Sequence, residues 1–138
     1  MTKLTKGYLT NLTHQIIGAA IEVHKEMGPG LLEKVYQACM VHELGLRGLN
    51  VQVQQSVPVI YKGATLDAEL RYDLLVEGCI VVELKAVKEM IPFFEAQTIS
   101  YAKLLHVPKS ILINFTCYNI FKEGQKTFVN ELYRDLPD

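Results

Sequence analysis

The fold is decided by the stretch Arg71-Tyr72-Asp73-Leu74-Leu75-Val76-Glu77-Gly78-Cys79-Ile80-Val81-Val82-Glu83-Leu84-Lys85. It predicts two apolar strands joined by a tight turn at Glu77-Gly78. Carboxylates interrupt the apolar pattern at Asp73 and Glu83, and burying a charge among apolar side chains is costly unless something offsets it. A divalent metal between these two carboxylates would offset that cost, and Lys85 would then lie beside the metal.

The length of the turn decides whether the two carboxylates can share a metal. Side chains alternate along a strand, so Glu83 and Lys85 point to the same face. A two-residue loop would turn Asp73 to the opposite face from Glu83, whereas an odd-length loop brings them to one face. We predict a three-residue loop with Gly78 in the left-handed conformation. This loop would pair Asp73 with Val81 and leave Asp73 diagonal to Glu83.

The ligand types indicate which metal the site would hold. Carboxylate oxygens at this spacing suit Mg²⁺ or Mn²⁺, which retain several waters and bind phosphate readily. Such a metal can activate water and polarise a phosphodiester, and Lys85 could neutralise the developing charge. The spacing alone leaves an alternative open, which is an ordinary hairpin whose Glu83 and Lys85 form a surface ion pair.

Length and composition predict one domain over residues 1–138. The chain of 138 residues is long enough to bury its own core, and a hydrophobic content of 49% excludes a disordered protein. The net charge of −1 gives no global signature of nucleic-acid binding. Removing Glu33, Asp73 and Glu83 from the count changes the charge from −1 to +2, which weakens that objection without becoming support.

The cysteines and the N-terminus indicate a cellular location. Cys39, Cys79 and Cys117 are scattered, contain no CxxC spacing and cannot all pair with one another, so we expect reduced thiols. The N-terminal residues lead into no long apolar region, so we expect neither a signal peptide nor a transmembrane segment. The expectation is a cytoplasmic protein without a membrane partner.

Hydrophobic periodicity predicts the element order α-α-β-β-β-α-β-β. We expect helices over residues 10–27, 31–46 and 92–105, strands over 51–61, 65–76, 79–87 and 110–115, and a strand pair within 118–129. Thr10, Asn11 and Thr13 are candidate caps of the first helix. Pro58 indicates an edge strand or a bulge, and residues 136–138 are expected to fray.

Three motifs spread along the chain resemble those of one group of enzymes. Asp73 followed by Glu83-Leu84-Lys85 looks like the core of the PD-(D/E)XK nuclease superfamily, although Tyr72 stands where that name implies proline. The stretch from Gly30 to Tyr36 matches the Gly-x-x-Glu-x-x-Tyr signature of the GxxExxY protein family, a branch of the superfamily. Gln97-Thr98-Ile99-Ser100-Tyr101 is similar to the Gln-x-x-x-Tyr motif of RecB-like members. The resemblance covers residues from about 16 to 129.

The resemblance implies a fold and a set of site residues. The fold would be an α/β (α+β) protein with a restriction-endonuclease-like core, in which helices flank a central mixed sheet. Asp73 and Glu83 would be metal ligands and Lys85 the catalytic lysine. Glu33 would be the additional acid that superfamily members often bring from a preceding helix. The residue rules leave open that Glu33 is an ordinary first-turn acid that complements the helix dipole.

The resemblance also assigns supporting roles on the last long helix. Gln97 and Tyr101 are four residues apart and therefore share one helix face. They could position a phosphate or a water beside the metal, or they could be ordinary surface and core residues. Tyr36, which ends the Gly-x-x-Glu-x-x-Tyr motif, is expected to be a core aromatic.

The resulting hypothesis is a Mg²⁺- or Mn²⁺-dependent nuclease that hydrolyses phosphodiester bonds, with DNA as the expected substrate. The alternative is a non-catalytic module that binds nucleic acid or a protein on the same scaffold, which the small size and near-neutral charge motivate. A weaker third interpretation is a phosphoesterase that acts on nucleotides. A homo-oligomer is a further expectation for the nuclease, because a small nuclease often needs a second subunit to span a duplex.

Overall fold

A mixed β-sheet with helices on both faces forms the centre of the protein. The computed structural model describes residues 4–138. The helices are α1 (Lys6–Met27), α2 (Glu33–Leu46), α3 (Pro92–Leu104), α4 (Ile120–Glu123) and α5 (Glu131–Arg134). The strands are β1 (Val51–Val53), β2 (Ser56–Tyr61), β3 (Ala64–Arg71), β4 (Leu74–Val76), β5 (Ile80–Lys85), β6 (Lys109–Asn114) and β7 (Gln125–Val129).

The strand order of the central sheet is β1-β4-β5-β6-β7. Strands β5 and β6 run parallel, and the remaining neighbours are antiparallel. A parallel pair needs a crossover connection, which α3 supplies between β5 and β6. The predicted fold class, a central mixed sheet flanked by helices, is therefore confirmed. Strands β2 and β3 form a separate two-stranded sheet.

The alternation of side chains along β5 divides the core into two layers. Val82 and Leu84 are fully buried in the larger apolar cluster, with residues of α1 and α2. Val81 points to the other face and joins a smaller cluster with Ala102 of α3. Full burial of each such side chain contributes about 1.5–3 kcal/mol. All six residues of β6 are buried, as predicted for a strand covered on both faces.

The turn between β4 and β5 has the predicted odd length. The last pair of the hairpin is Val76 with Ile80, so the loop consists of Glu77, Gly78 and Cys79. Glu77 and Gly78 both adopt the left-handed conformation, with φ of 52° and 66°. The Cys79 N–H closes the turn by donating to the Val76 carbonyl at 3.1 Å.

The exact register differs from the prediction. Leu74 pairs with Val82, and extension of this register by one residue puts Asp73 directly opposite Glu83 rather than opposite Val81. The predicted pairing was wrong because it assumed one left-handed residue in the loop, whereas two successive left-handed residues move the turn one position along the chain. The two carboxylates therefore lie on one face as direct neighbours.

Helix α1 begins earlier than its apolar stripe predicted. Its N-cap is Thr5, whose hydroxyl accepts a hydrogen bond from the Tyr8 N–H at 3.0 Å. The predicted caps Thr10, Asn11 and Thr13 are wrong, because all three lie inside the helix. A threonine hydroxyl can instead donate to the carbonyl of the preceding turn, and both threonines at these positions do so.

Two strands predicted as continuous are each broken in two. Gln54, with φ of 44°, separates β1 from β2, and Tyr72-Asp73 separates β3 from β4. The breaks are coupled, because the Gln54 N–H donates to the Asp73 carbonyl at 2.9 Å. The β2–β3 hairpin consequently leaves the central sheet. Its register shifts next to Pro58, which confirms the predicted irregularity.

The C-terminal third contains two further corrections. The predicted strand pair is instead the short helix α4 followed by a single strand, because Asn119 caps a helical turn. The final residues do not fray, since the Pro137 and Asp138 carbonyls accept hydrogen bonds from the backbone N–H groups of Lys6 and Gly7. The C-terminal residues are thereby held against the first turn of α1.

The cysteines and the helices bear on the predicted cellular location. Cys39, Cys79 and Cys117 are free thiols, as expected. None of the helices within residues 4–138 combines the length and the apolar character needed to cross a lipid bilayer. The cytoplasmic location itself stays a prediction.

Two glycine substitutions should have opposite effects on stability. Gly78→Ala should lower the free energy of unfolding by about 1–2 kcal/mol, because alanine is strained in the left-handed conformation. Gly45→Ala, inside α2, should raise it by roughly 0.5–1 kcal/mol, because glycine weakens a helix. Neither added methyl group meets an atom within 4 Å, so only backbone conformation differs. Urea denaturation measures both, and effects of the same sign would contradict the proposed turn geometry.

Candidate active site

Asp73 and Glu83 hold each other's backbone across the hairpin. The Asp73 N–H donates to Glu83 Oε2 at 2.7 Å, and the Leu84 N–H donates to Asp73 Oδ2 at 2.8 Å. Each carboxylate thus accepts a hydrogen bond from the strand that carries the other one. Such bonds to a charged acceptor are among the stronger ones in proteins, so they fix both side chains on one face of the sheet.

The second oxygen of each carboxylate is free to bind something else. Neither Asp73 Oδ1 nor Glu83 Oε1 has a hydrogen-bond partner among the described residues. No fully buried side-chain oxygen within residues 4–138 lacks a partner, so these two atoms each keep some contact with solvent. The pair therefore offers two adjacent hard oxygens, which is the donor type that Mg²⁺ and Mn²⁺ prefer.

The negative charge of this pair is poorly compensated. Glu83 is only 3% exposed, and burial raises the pKa of its carboxyl from 4.5 to about 8, with the charge of Asp73 adding to the rise. Burial also raises the pKa of Asp73, although the Leu84 N–H and the charge of Lys85 oppose that rise. A cation bound here would offset both shifts, because an opposite charge nearby favours the ionised carboxylates.

Glu33 approaches the pair from α2. It is the first residue of that helix and is half-buried. Burial raises the pKa of its carboxyl, the charge of Asp73 adds to the rise, and the charge of Lys85 opposes it. Glu33 is therefore in electrostatic range of the hairpin. Within residues 4–138, however, no three His, Cys, Asp or Glu side chains converge closely enough to enclose a metal ion.

Lys85 is held in place by α3. Its Nζ donates to Gln97 Oε1 at 3.3 Å, and Gln97 Nε2 donates to the Tyr101 hydroxyl at 3.2 Å. The same Nζ lies 4.6 Å from the centre of the Phe94 ring, within the range of a cation–π interaction. The structure thus brings Gln97 and Tyr101 to Lys85, as their spacing on one helix face allows.

The surface ion-pair alternative for the hairpin is wrong. The ion pairs found within residues 4–138 are Arg47–Glu43 and Lys126–Glu95. Glu83 is also too deeply buried to be a surface acid. Lys85 instead directs its ammonium group to the Gln97 amide and the Phe94 ring.

Tyr36 is the core aromatic that the sequence predicted, and it also connects the parts of the site. Its hydroxyl donates to the Gly28 carbonyl at 2.5 Å and accepts from the Leu31 N–H at 3.2 Å. Its ring stacks on Phe115 with centroids 4.3 Å apart. The Phe115 N–H in turn donates to the Lys85 carbonyl at 2.9 Å. The loop before Glu33 is thereby joined to the strand of Lys85.

Phe94 is the neighbour of Lys85 that sequence reasoning missed. It lies three residues before Gln97, and residues three apart on a helix face the same way. An aromatic residue at this spacing was the available signal. It was overlooked because an aromatic in the first turn of a helix is more often a packing residue.

One comparison with known proteins gave a match. A family model of the PD-(D/E)XK nuclease superfamily matches residues 10–128. The matched segment contains all the predicted site residues, which are Glu33, Asp73, Glu83, Lys85, Gln97 and Tyr101. No curated protein sequence and no solved structure matched the chain.

The raised pKa of Glu83 predicts how stability depends on pH. A carboxyl whose pKa is higher in the folded than in the unfolded protein stabilises the fold below its unfolded value, and this contribution is lost as the pH rises through the folded value. The metal-free protein should therefore lose stability between about pH 4.5 and 8. Glu83→Gln stays neutral and should remove most of this loss.

Urea denaturation across that pH range measures the effect. The control is Glu26→Gln, an exposed acid near the end of α1 that should leave the wild-type profile unchanged. A flat profile for the wild type, or an equally steep one for Glu83→Gln, would contradict the prediction.

Proposed function

The chain belongs to the PD-(D/E)XK nuclease superfamily, and we propose that it is a divalent-metal-dependent nuclease that hydrolyses phosphodiester bonds, with DNA as the expected substrate. One observation carries the proposal: Asp73 and Glu83 contact each other across the hairpin while Lys85 follows on the same face. Within the superfamily we assign the chain to the GxxExxY branch, on the spacing of Gly30, Glu33 and Tyr36.

The two hairpin carboxylates would hold Mg²⁺ or Mn²⁺. Their free atoms, Asp73 Oδ1 and Glu83 Oε1, supply hard oxygens, and a cation would offset the burial that raises the pKa of both carboxyls. Glu33 of α2 would add a third carboxylate, because it already lies within electrostatic range of Asp73. When bound, the cation supplies Lewis-acid chemistry at the phosphodiester.

Lys85 would act on the phosphate beside the carboxylates. An ammonium group aimed at the point where negative charge develops lowers the barrier most when it is already in place. The Gln97 amide and the Phe94 ring hold Lys85 Nζ from α3, and Tyr101 fixes the orientation of Gln97. Gln97 and Tyr101 are therefore positioning residues for Lys85.

The second candidate function is a non-catalytic module that binds nucleic acid through the same scaffold. The net charge of −1 favours it, because the charge of the chain supplies no strong grip on a phosphate backbone. The two candidates differ in whether the protein binds a divalent cation. Metal binding is therefore the measurement that separates them.

Metal binding should depend on the hairpin carboxylates. Asp73→Asn and Glu83→Gln keep the size of each side chain and its acceptor for the backbone N–H, but remove a charged ligand. We expect each to lose at least about tenfold in Mn²⁺ affinity, measured by isothermal titration calorimetry. Asp67→Asn is the matched control, since Asp67 is exposed on the β2–β3 hairpin. Failure of the wild type to bind Mn²⁺ at millimolar concentration would favour the non-catalytic candidate.

Cleavage should depend on Lys85. Lys85→Ala should lower the rate of Mn²⁺-dependent DNA cleavage by about 10²–10³-fold, because it removes a preorganised positive charge. Lys62→Ala removes an exposed lysine in the turn between β2 and β3, away from the site, and should keep most of the activity. The assay follows labelled DNA with equal amounts of the three proteins. Equal rates for Lys85→Ala and the wild type would assign the cleavage to a contaminant.

A further inference from the structure

Strongly exposed aromatic side chains border the candidate active site. Strands β5 and β6 are parallel and end together, with Lys85 paired to Asn114. Tyr118, which follows β6 beyond this edge, is 97% exposed, and Phe93 at the start of α3 is 63% exposed. Phe121 on α4 is exposed as well. Aromatic rings with this much exposed surface are available to a ligand.

Phe93 is connected to Lys85 through one other ring. Its centroid lies 6.2 Å from that of Phe94, and the two rings meet edge to face. The Phe94 ring in turn lies 4.6 Å from Lys85 Nζ. A planar group stacked on Phe93 would therefore be anchored one side chain away from the ammonium group that acts on the phosphate.

Around these rings the free positive charges are few: Lys88 is exposed after β5, and Lys122 is exposed next to Phe121 on α4. Lys126 is engaged by Glu95 at 3.0 Å, and Leu32, directly before Glu33, is 76% exposed. Binding of a duplex depends mainly on lysine and arginine contacts to phosphates. Binding of a single strand combines a few such contacts with stacking of bases on aromatic rings. The exposed aromatic rings and few free lysines around the site therefore match a surface that binds single strands.

We propose that the substrate of this site is single-stranded or locally unpaired nucleic acid, whose bases stack on Phe93 and on Tyr118. The inference rests on the proposed function, because it takes the phosphodiester of the bound nucleic acid to be cleaved by the site of Asp73, Glu83 and Lys85. A base held on Phe93 positions the adjoining backbone at Asp73 and Glu83. Exposed lysines near the rim, such as Lys88, supply the remaining phosphate contacts.

The test is fluorescence anisotropy of labelled oligonucleotides with the full chain in EDTA, where cleavage does not interfere. The probes are oligothymidylate and oligouridylate of about 20 nucleotides, longer than single-strand sites of this type, together with a DNA duplex of equal length. We expect the single strands to bind at least about tenfold more tightly than the duplex. The two single-stranded probes distinguish DNA from RNA.

Variants then locate the stacking surface. Phe93→Ala should weaken binding of the single strand by about 5- to 150-fold, while Phe93→Tyr retains a ring and should bind as the wild type does. Tyr61→Ala is the matched control, because Tyr61 is 59% exposed but lies on the β2–β3 hairpin. Phe93 is exposed, so its truncation should leave thermal unfolding unchanged, which circular dichroism checks.

The outcomes separate this inference from the proposed function. Equal affinity for duplex and single strand, equal effects of Phe93→Ala and Tyr61→Ala, or no binding of any probe would each overturn the stacking inference. Calorimetry with Mn²⁺ tests the metal site independently. A protein that binds Mn²⁺ but prefers the duplex keeps the nuclease proposal and loses this inference. A protein that stacks single strands but binds no Mn²⁺ loses the nuclease proposal instead.

Discussion

The reciprocal hydrogen bonding of Asp73 and Glu83 is the constraint on which the rest of the site depends. Each carboxylate accepts a backbone N–H of the opposite strand, and this exchange requires the two residues to be direct cross-strand neighbours. That register in turn requires a loop of odd length, which Glu77 and Gly78 provide through their left-handed conformation. A change of one residue in the loop would send one carboxylate into the apolar core.

The same arrangement is electrostatically unfavourable without a partner. Two carboxylates share one face of the sheet, where Glu83 is only 3% exposed, and Lys85 directs its ammonium group to the Gln97 amide and the Phe94 ring. Burial therefore raises the pKa values of Asp73 and Glu83. A buried charge costs desolvation free energy, and a position with a purely structural role is often better filled by an apolar residue. Buried charged groups with shifted pKa values therefore cluster at functional sites. The unbalanced charge supports a cation site more strongly than either acid does by itself.

The scaffold joins the parts of the site through apolar contacts as well as polar ones. The Tyr36 ring stacks on Phe115, whose backbone N–H donates to the Lys85 carbonyl. The Tyr36 hydroxyl is hydrogen-bonded to the loop that leads to Glu33. From the other side, α3 contacts Lys85 through Gln97. Connections from helices on opposite faces of the sheet thus converge on Lys85 at the end of β5. Exposed rings at that end, such as Phe93, extend the site outward.

The sequence by itself determined the helices α1 to α3, the buried strand β6, the odd loop and the residues that could form a site, because periodicity and turn chemistry are local. It could not locate the break at Gln54, since that break depends on a hydrogen bond to Asp73, nineteen positions away along the chain. It also misplaced the cap of α1 and the exact register of the hairpin. Only the tertiary structure decided that Asp73 lies opposite Glu83 and that Phe94 lies against Lys85. The physical reason is that register and side-chain contact depend on which segments pack together, which no local pattern records.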